Sequence, residues 1–362
     1  MVPRHRPSGE HMRLVLAAAS LSMVLTGAAH AADCVPPQLL NSVPITLAHG
    51  GGMPIVSASI DESPVKFLVD TGSIVSQVSY APAAALRLTS LATPRGQYDI
   101  SGRFSREAAR ITTFVLGNMQ ATGFYLRLVP DPDFSAEPPF DGILATDMMS
   151  RYDIDLDFGH RRLNYFAPEA CQNAGIYWAP KALSMLPTPT LPGRAYVDVV
   201  LDGHKISALI DTGSEHSMMN PVLARNLFGL TPGSPDMTPG EIISDGATAK
   251  ADFHTFPVLS LGELTLTNVP VAVVRDARTE DNGEYHISRT LRTQFDLHQL
   301  LPDLTLGMDV LRQTHLYISF RNQRIYVSRA DDGAAQPPAM SEPNKLTVWH
   351  FGYEMLHPFI VY

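Results

Sequence analysis

One stretch of this sequence occurs twice. Ile55 to Ser73 lines up without gaps on Tyr196 to Ser214, and both copies end in Asp-Thr-Gly-Ser. A chain that repeats itself this closely builds two related structural units, so the repeat limits the possible folds more than composition does. In each copy a tight turn, Asp61-Glu62-Ser63 or Asp202-Gly203-His204, separates two strand-like runs. The second run, Phe67-Leu68-Val69 or Ala208-Leu209-Ile210, enters the motif wholly apolar, as a strand buried on both faces would.

The correspondence continues beyond the motifs. Short helix signals follow at Pro82 to Leu86 and Pro221 to Leu227, then polar turns at Ser101-Gly102 and Asp245-Gly246. Strand pairs hinge at Leu116-Gly117 and Leu261-Gly262. Gly142 to Met149 then matches Leu304 to Leu311, so that Asp147 falls on Asp309 and Phe158 on Phe320. The second copy carries a polar, charged insertion between Arg275 and Leu301, which reads as a surface loop. The boundaries expected are a first lobe over 43–166, a connector over 167–192, a second lobe over 193–329 and a tail over 330–362. Twenty-nine prolines and 25 glycines favour a turn-rich β fold over a helical bundle.

Residues 1–31 read as a secretory signal peptide. Arg13 precedes an apolar run from Leu14 to Leu25, and Ala29-His30-Ala31 offers small residues before a cut. That run is shorter than the roughly 20 residues a bilayer span needs, and no later stretch qualifies. The expected location is therefore exported, periplasmic or secreted. Cleavage after Ala31 removes Arg4, Arg6, Arg13 and Glu10 and takes the formal charge from −9 to −11. An acidic protein without a basic cluster is a poor partner for nucleic acid or anionic lipid. Cys34 and Cys171 are the only cysteines; an oxidising compartment would allow them to pair, and a disulfide and two free thiols both remain open.

A single Asp-Thr-Gly can be an ordinary strand-ending loop, but two related copies can bring Asp70 and Asp211 to one axis. Two carboxylates about 3 Å apart cannot both ionise, so the pair holds one proton. The charged member can act as a base on water while the protonated one hydrogen-bonds the carbonyl under attack. Gly72 and Gly213 let the turn aim its N–H groups at the carboxylates without a clashing side chain. Ser73 and Ser214 can hydrogen-bond the outer carboxylate oxygens. The expected optimum is acidic to mildly acidic.

The paired segments Phe67 to Ser73 and Ala208 to Ser214 resemble the active-site loops of pepsin-like and retropepsin-like aspartic peptidases, and bacterial retropepsin-like aspartyl proteases most closely. Gly142 to Phe166 and Leu304 to Val327 resemble the element that crosses behind that active site. The resemblance implies an all-β, bilobal acid-protease fold: two pseudo-twofold-related, β-barrel-like lobes with short helices. It further implies one catalytic aspartate per lobe, no metal and no cofactor, with Thr71 and Thr212 hydrogen-bonding across the pair. Ala145 replaces the glycine that the family places there, whereas Gly307 keeps it; a single added methyl is expected to be tolerated. The flap that would close over substrate is sought at Tyr98 to Arg103, with Tyr98, Ile100 and Gly102 as substrate-binding candidates beside the alternative of an ordinary surface hairpin.

The function expected is an aspartic endopeptidase acting on an extended peptide or protein substrate. Because one chain holds both lobes, it is expected to work as a monomer. The alternative is a non-catalytic peptide-binding protein on the same fold, although a binder needs none of the six motif side chains. A two-aspartate metal site is the weaker reading, because no dense cluster of further carboxylates adjoins either motif. His216, two residues past Ser214, is either a tuner of the pair or a packed or solvent-facing histidine. The aromatic tail, Lys345 to Tyr362, is expected to dock on the body, the rival being a segment lying in the cleft.

Overall fold

The computed structural model describes residues 38–48, 52–98, 104–131, 140–168, 176–178, 182–185, 193–231, 233–244, 247–274, 302–330, 337, 340 and 347–349. The signal segment, Cys34, Cys171, Ile100 and Gly102 lie outside these residues, as does the insertion between Arg275 and Leu301. Lobe one opens with β1 (Leu39–Pro44) and β2 (Thr46–Leu47). It continues with β3 (Pro54–Ile60), β4 (Ser63–Val69), β5 (Gln77–Ser79), helix α1 (Tyr80–Ala85) and β6 (Ser90–Tyr98). Next come β7 (Phe104–Leu116), β8 (Met119–Val129), β9 (Gly142–Leu144) and α2 (Thr146–Met149). The strands β10 (Asp153–Asp157) and β11 (Arg162–Phe166) complete the lobe.

After β12 (Ala182–Ser184), lobe two repeats the order. It runs through β13 (Tyr196–Leu201), β14 (His204–Ile210), β15 (Met218–Met219), α3 (Pro221–Phe228) and β16 (Thr238–Ser244). It then continues through β17 (Ala247–Leu261), β18 (Leu264–Val274), β19 (Leu304–Leu306), α4 (Met308–Leu311), β20 (Thr314–Ser319) and β21 (Arg324–Arg329). A last strand, β22 (Thr347–Trp349), pairs parallel with β8. The tail thus docks on the body at these three residues.

Each lobe closes on itself. In lobe one the sheet runs β3-β4-β9-β5-β8-β7 and returns to β3 through Ser59 opposite Val115 and Ile60 opposite Phe114. In lobe two β13-β14-β19-β15-β18-β17 returns to β13 through Val200 and Leu201 against Ser260 and Leu259. Closure removes exposed sheet edges, and the inward side chains fill the interior. Phe114 anchors that interior in lobe one, edge-on to Phe67 at 5.4 Å and to Phe124 at 6.3 Å. The tight turns follow from hairpin twist: Asp61 and Glu62, like Asp202 and Gly203, all take positive φ, the geometry that joins two twisted strands through two residues.

The lobes share a six-stranded sheet ordered β1-β11-β10-β20-β21-β12. At its centre β10 pairs with β20 so that Asp155 lies opposite Tyr317, Ile154 opposite Ile318 and Asp157 opposite His315. The pseudo-twofold axis passes through the Asp155–Tyr317 pair. On the outer edges β1 flanks β11 and β12 flanks β21, making β12 the counterpart of β1. The repeat therefore reaches further upstream than the motif alignment indicated, into the segment read as connector. Among the described residues no helix is long and apolar enough to cross a membrane.

Candidate active site

Each motif sits where its strand runs out of partners on one side and is caught on the other. β4 pairs parallel with β9, and β14 with β19. The Asp70 N–H donates to the Leu144 carbonyl at 3.0 Å, and the Asp211 N–H to Leu306 at the same distance. The chain then turns, and the turn's own N–H groups point back at the carboxylates. Asp70 Oδ1 accepts from Gly72 N at 2.8 Å and Ser73 N at 2.9 Å; Asp211 Oδ1 accepts from Gly213 N at 2.9 Å.

Two residues 141 apart in sequence are brought together here. The carboxyl groups of Asp70 and Asp211 lie close enough for the charge of one to act on the other. A β-carbon on Gly72 would stand 2.4 Å from Asp211 Cγ, so only glycine permits this approach. Asp70 is fully buried and Asp211 nearly so, at 8% exposure. The loops are locked by a reciprocal bridge. The Thr71 N–H donates to Thr212 Oγ1 and the Thr212 N–H to Thr71 Oγ1, both at 3.1 Å. Each hydroxyl then donates onward across the axis, Thr71 Oγ1 to the Ile210 carbonyl at 2.8 Å and Thr212 Oγ1 to Val69 at 2.6 Å. Both threonines are buried, so each of these groups is satisfied only while the lobes stay together.

Burial, and after it the charge of Asp70, pushes the Asp211 carboxyl up from the ordinary carboxylate range to about 8. The Gly213 N–H and the Arg194 guanidinium pull in the opposite direction without prevailing. Asp211 therefore keeps its proton into the neutral range, and the titrations belong to the pair.

Behind the loops a second pair of networks repeats the symmetry. Ser76 donates from N and Oγ to Asp147 at 2.9 and 2.5 Å, and its hydroxyl accepts from Ala145 N at 2.9 Å. In lobe two Ser217 donates from N and Oγ to Asp309 at 2.9 and 2.6 Å and accepts from Gly307 N at 3.0 Å. Burial pushes both carboxyls up, opposed by the serine hydrogen bonds. The repeat matches Asp147 with Asp309 without assigning them a role; the two serines, at the same spacing past each motif, were the available signal. Ala145 keeps the hydrogen bond that Gly307 makes, so the added methyl leaves this network intact. The converse does not hold, because a β-carbon on Gly307 would meet the His216 carbonyl carbon and oxygen at 2.4 Å. Gly307→Ala is expected to cost about 1–3 kcal/mol in urea unfolding, and Ala145→Gly about 1 kcal/mol or less. Equal stability of Gly307→Ala and the parent protein would refute this.

The remaining expected residues fall as follows. Ser214 Oγ donates to the His216 carbonyl at 2.8 Å rather than to a carboxylate oxygen, so its hydroxyl braces the loop. Ser73 contributes its backbone N–H to Asp70. His216 packs edge-on against Phe253 with ring centroids 5.3 Å apart and borders Asp309 at 4.0 Å; it is a packed histidine. β6 and β7 pair up to Tyr98 opposite Phe104, and the rest of the expected flap, residues 99–103, lies outside the described residues. β16 and β17 form the matching hairpin in lobe two. Among the described residues no cluster of three or more His, Cys, Asp or Glu side chains could hold a metal ion.

Two closed β lobes, a shared sheet behind them, and one Asp-Thr-Gly-Ser loop from each meeting at the axis define the bilobal acid-protease fold. The aspartyl protease family profile matches residues 56–148 and 197–310, more than half of the 362 residues and one segment in each lobe. The chain belongs to the aspartyl protease family, which supports a protease-type function. A comparison with curated protein sequences found no match.

Proposed function

We propose that the protein is an aspartic endopeptidase whose catalytic groups are Asp70 and Asp211. The observation that carries this reading is the buried carboxyl pair held by the reciprocal Thr71–Thr212 bridge. A buried pair of acids is costly to fold around, and a protein that only bound peptides would gain nothing from it.

The chemistry follows from the shared proton. With one carboxyl ionised and the other protonated, a water between them loses a proton to the charged member as its oxygen attacks the scissile carbonyl carbon. The protonated member passes its hydrogen toward the carbonyl oxygen, giving a neutral diol. As the diol collapses, one of its hydroxyls gives its proton to the ionised carboxylate while the protonated carboxyl protonates the departing nitrogen, so the C–N bond breaks and the pair again holds one proton. No covalent intermediate with the enzyme forms.

The substrate is an extended peptide or protein segment lying between the lobes, with the Tyr98, Ile100 and Gly102 hairpin closing over it. The protein works as a monomer outside the cytoplasm, after removal of residues 1–31.

The test is cleavage of a diverse peptide mixture across about pH 3 to 9. Because the shared proton leaves as pH passes about 8, kcat/KM should fall about tenfold for each further pH increment of one above that point. The optimum should lie on the acid side of it. Activity climbing steadily from about pH 5 to 9 would exclude the mechanism. A folded protein that cuts nothing but retains peptide would favour the binding-protein reading.

A further inference from the structure

We propose that Arg194 is a specificity-determining residue that selects substrates carrying a carboxylate side chain beside the scissile bond. The inference rests on the peptidase reading of the cleft, and its first support is register. β13 and β14 pair with Tyr196 opposite Leu209, and the Ala195 carbonyl accepts the Ile210 N–H at 2.9 Å, which carries the pairing one residue further. The next step sets Arg194 opposite Asp211, and opposed residues of an antiparallel pair share a face. Consistently, the guanidinium is near enough to favour the charged form of Asp211.

The neighbouring chain fixes its place relative to the other loop. A β-carbon on Gly193 would lie 3.0 Å from Thr146 Oγ1 of lobe one. Thr146 in turn holds the Ser73 carbonyl through both its N–H at 3.1 Å and its hydroxyl at 3.0 Å. Arg194 therefore stands between the two motif loops, next to where a peptide bond would be cut.

One donor of its guanidinium has no acceptor among the described residues. The side chain is half-buried, and Nε is inaccessible with no hydrogen-bond partner among the described residues. A buried N–H left unpaired is unfavourable, and a carboxylate held by the rest of the guanidinium would offset that. A planar guanidinium with five donors suits a carboxylate through two parallel hydrogen bonds.

The fold itself does not require a cation here. The twofold counterpart is Met53, opposite Asp70 by the register that places Ile55 opposite Leu68. Met53 is fully buried among Ile55, Leu68, Phe140 and Ile143. Lobe one fills the position with an apolar side chain; lobe two sets a cation beside Asp211. In a chain of formal charge −9 this makes one substrate position selectively receptive to an acidic residue.

The experiment uses a peptide that the protein cuts, remade with Glu and then Gln at each position flanking the cut. At about pH 6 substrate Glu is ionised. There, wild type should show kcat/KM about tenfold higher for Glu than for Gln at one position. Arg194→Met should bring that ratio to about one or below, and Arg194→Lys should retain part of it. Lowering the pH to about 3.5 should erase the preference as the substrate carboxylate protonates. The same peptides, titrated by fluorescence anisotropy against Asp70→Asn with and without Arg194→Met, report selection independently of cutting. Arg194-dependent binding of Glu peptides without hydrolysis would leave this inference standing and remove the peptidase reading. A wild type indifferent to Glu at every position, or a preference that survives Arg194→Met, overturns the inference, as does the absence of both cutting and Arg194-dependent binding.

Discussion

Asp70→Asn and Asp211→Asn are each expected to lower kcat/KM for peptide hydrolysis by roughly 10³- to 10⁴-fold, the range associated with removing a positioned acid or base. Asparagine has the size of aspartate and keeps an oxygen for the N–H groups of Gly72 and Ser73, or of Gly213, so the loops hold their shape. What the variants lose is the ability to share a proton across the pair. Stability should move the other way. In the folded pair the Asp211 carboxyl is pushed up to about 8, from an ordinary value of 3.8. Between those values the folded state retains a proton that the unfolded chain has released, and wild-type stability falls as pH rises from about 4 to about 8. Asp211→Asn removes that loss. At about pH 8 its unfolding free energy should therefore exceed that of wild type by an amount on the order of a few kcal/mol. The difference should shrink toward zero near pH 4. An Asp211→Asn protein that cuts normally, or is less stable than wild type at pH 8, would contradict the assignment.

The second large effect is expected far from the cleft. Asp155 is fully buried at the centre of the shared sheet and accepts three hydrogen bonds from three parts of the chain. His315 Nε2, on β20 of lobe two, reaches it at 2.6 Å; the Tyr177 hydroxyl, in the connector, at 2.5 Å; and Asn164 Nδ2, on β11, at 2.9 Å. Trp178 stacks on the His315 ring at 3.9 Å and covers the group from above. Burial and the Asp155 charge push the Tyr177 hydroxyl far up, so it remains a donor. Asp155→Ala leaves the donors of His315, Tyr177 and Asn164 without their acceptor. The cost of breaking such a buried pair is roughly 3–5 kcal/mol. Asp155→Asn, which keeps one acceptor oxygen, should fall between alanine and wild type. Urea unfolding reads both. An Asp155→Ala protein within about 0.5 kcal/mol of wild type would show that the network carries no stability.

Legibility in the sequence differs from residue to residue. The strands leading into Asp70 and Asp211, the turns at Asp61 and Asp202, and the two copies of the crossing element are readable because each is a local pattern written twice. Thr71 and Thr212 follow from family resemblance, and their reciprocal bridge is present. Arg194 escapes the motif alignment, which begins at Tyr196, two residues too late to show that Met53 and Arg194 break the symmetry. Proximity in sequence suggests a carboxylate partner for Ser214, but its hydroxyl has a nearer acceptor in the His216 carbonyl.

From sequence alone came the duplication, the β character of both halves and the identity of the paired acids, because strand periodicity, turn chemistry and a repeated motif are properties of neighbouring residues. Tertiary structure alone decided which groups face each other across the axis. Asp155 finds His315, Gly193 meets Thr146, and β12 takes the place of β1. These contacts join residues that share no local pattern, and they exist only once two closed barrels have been set against a common sheet.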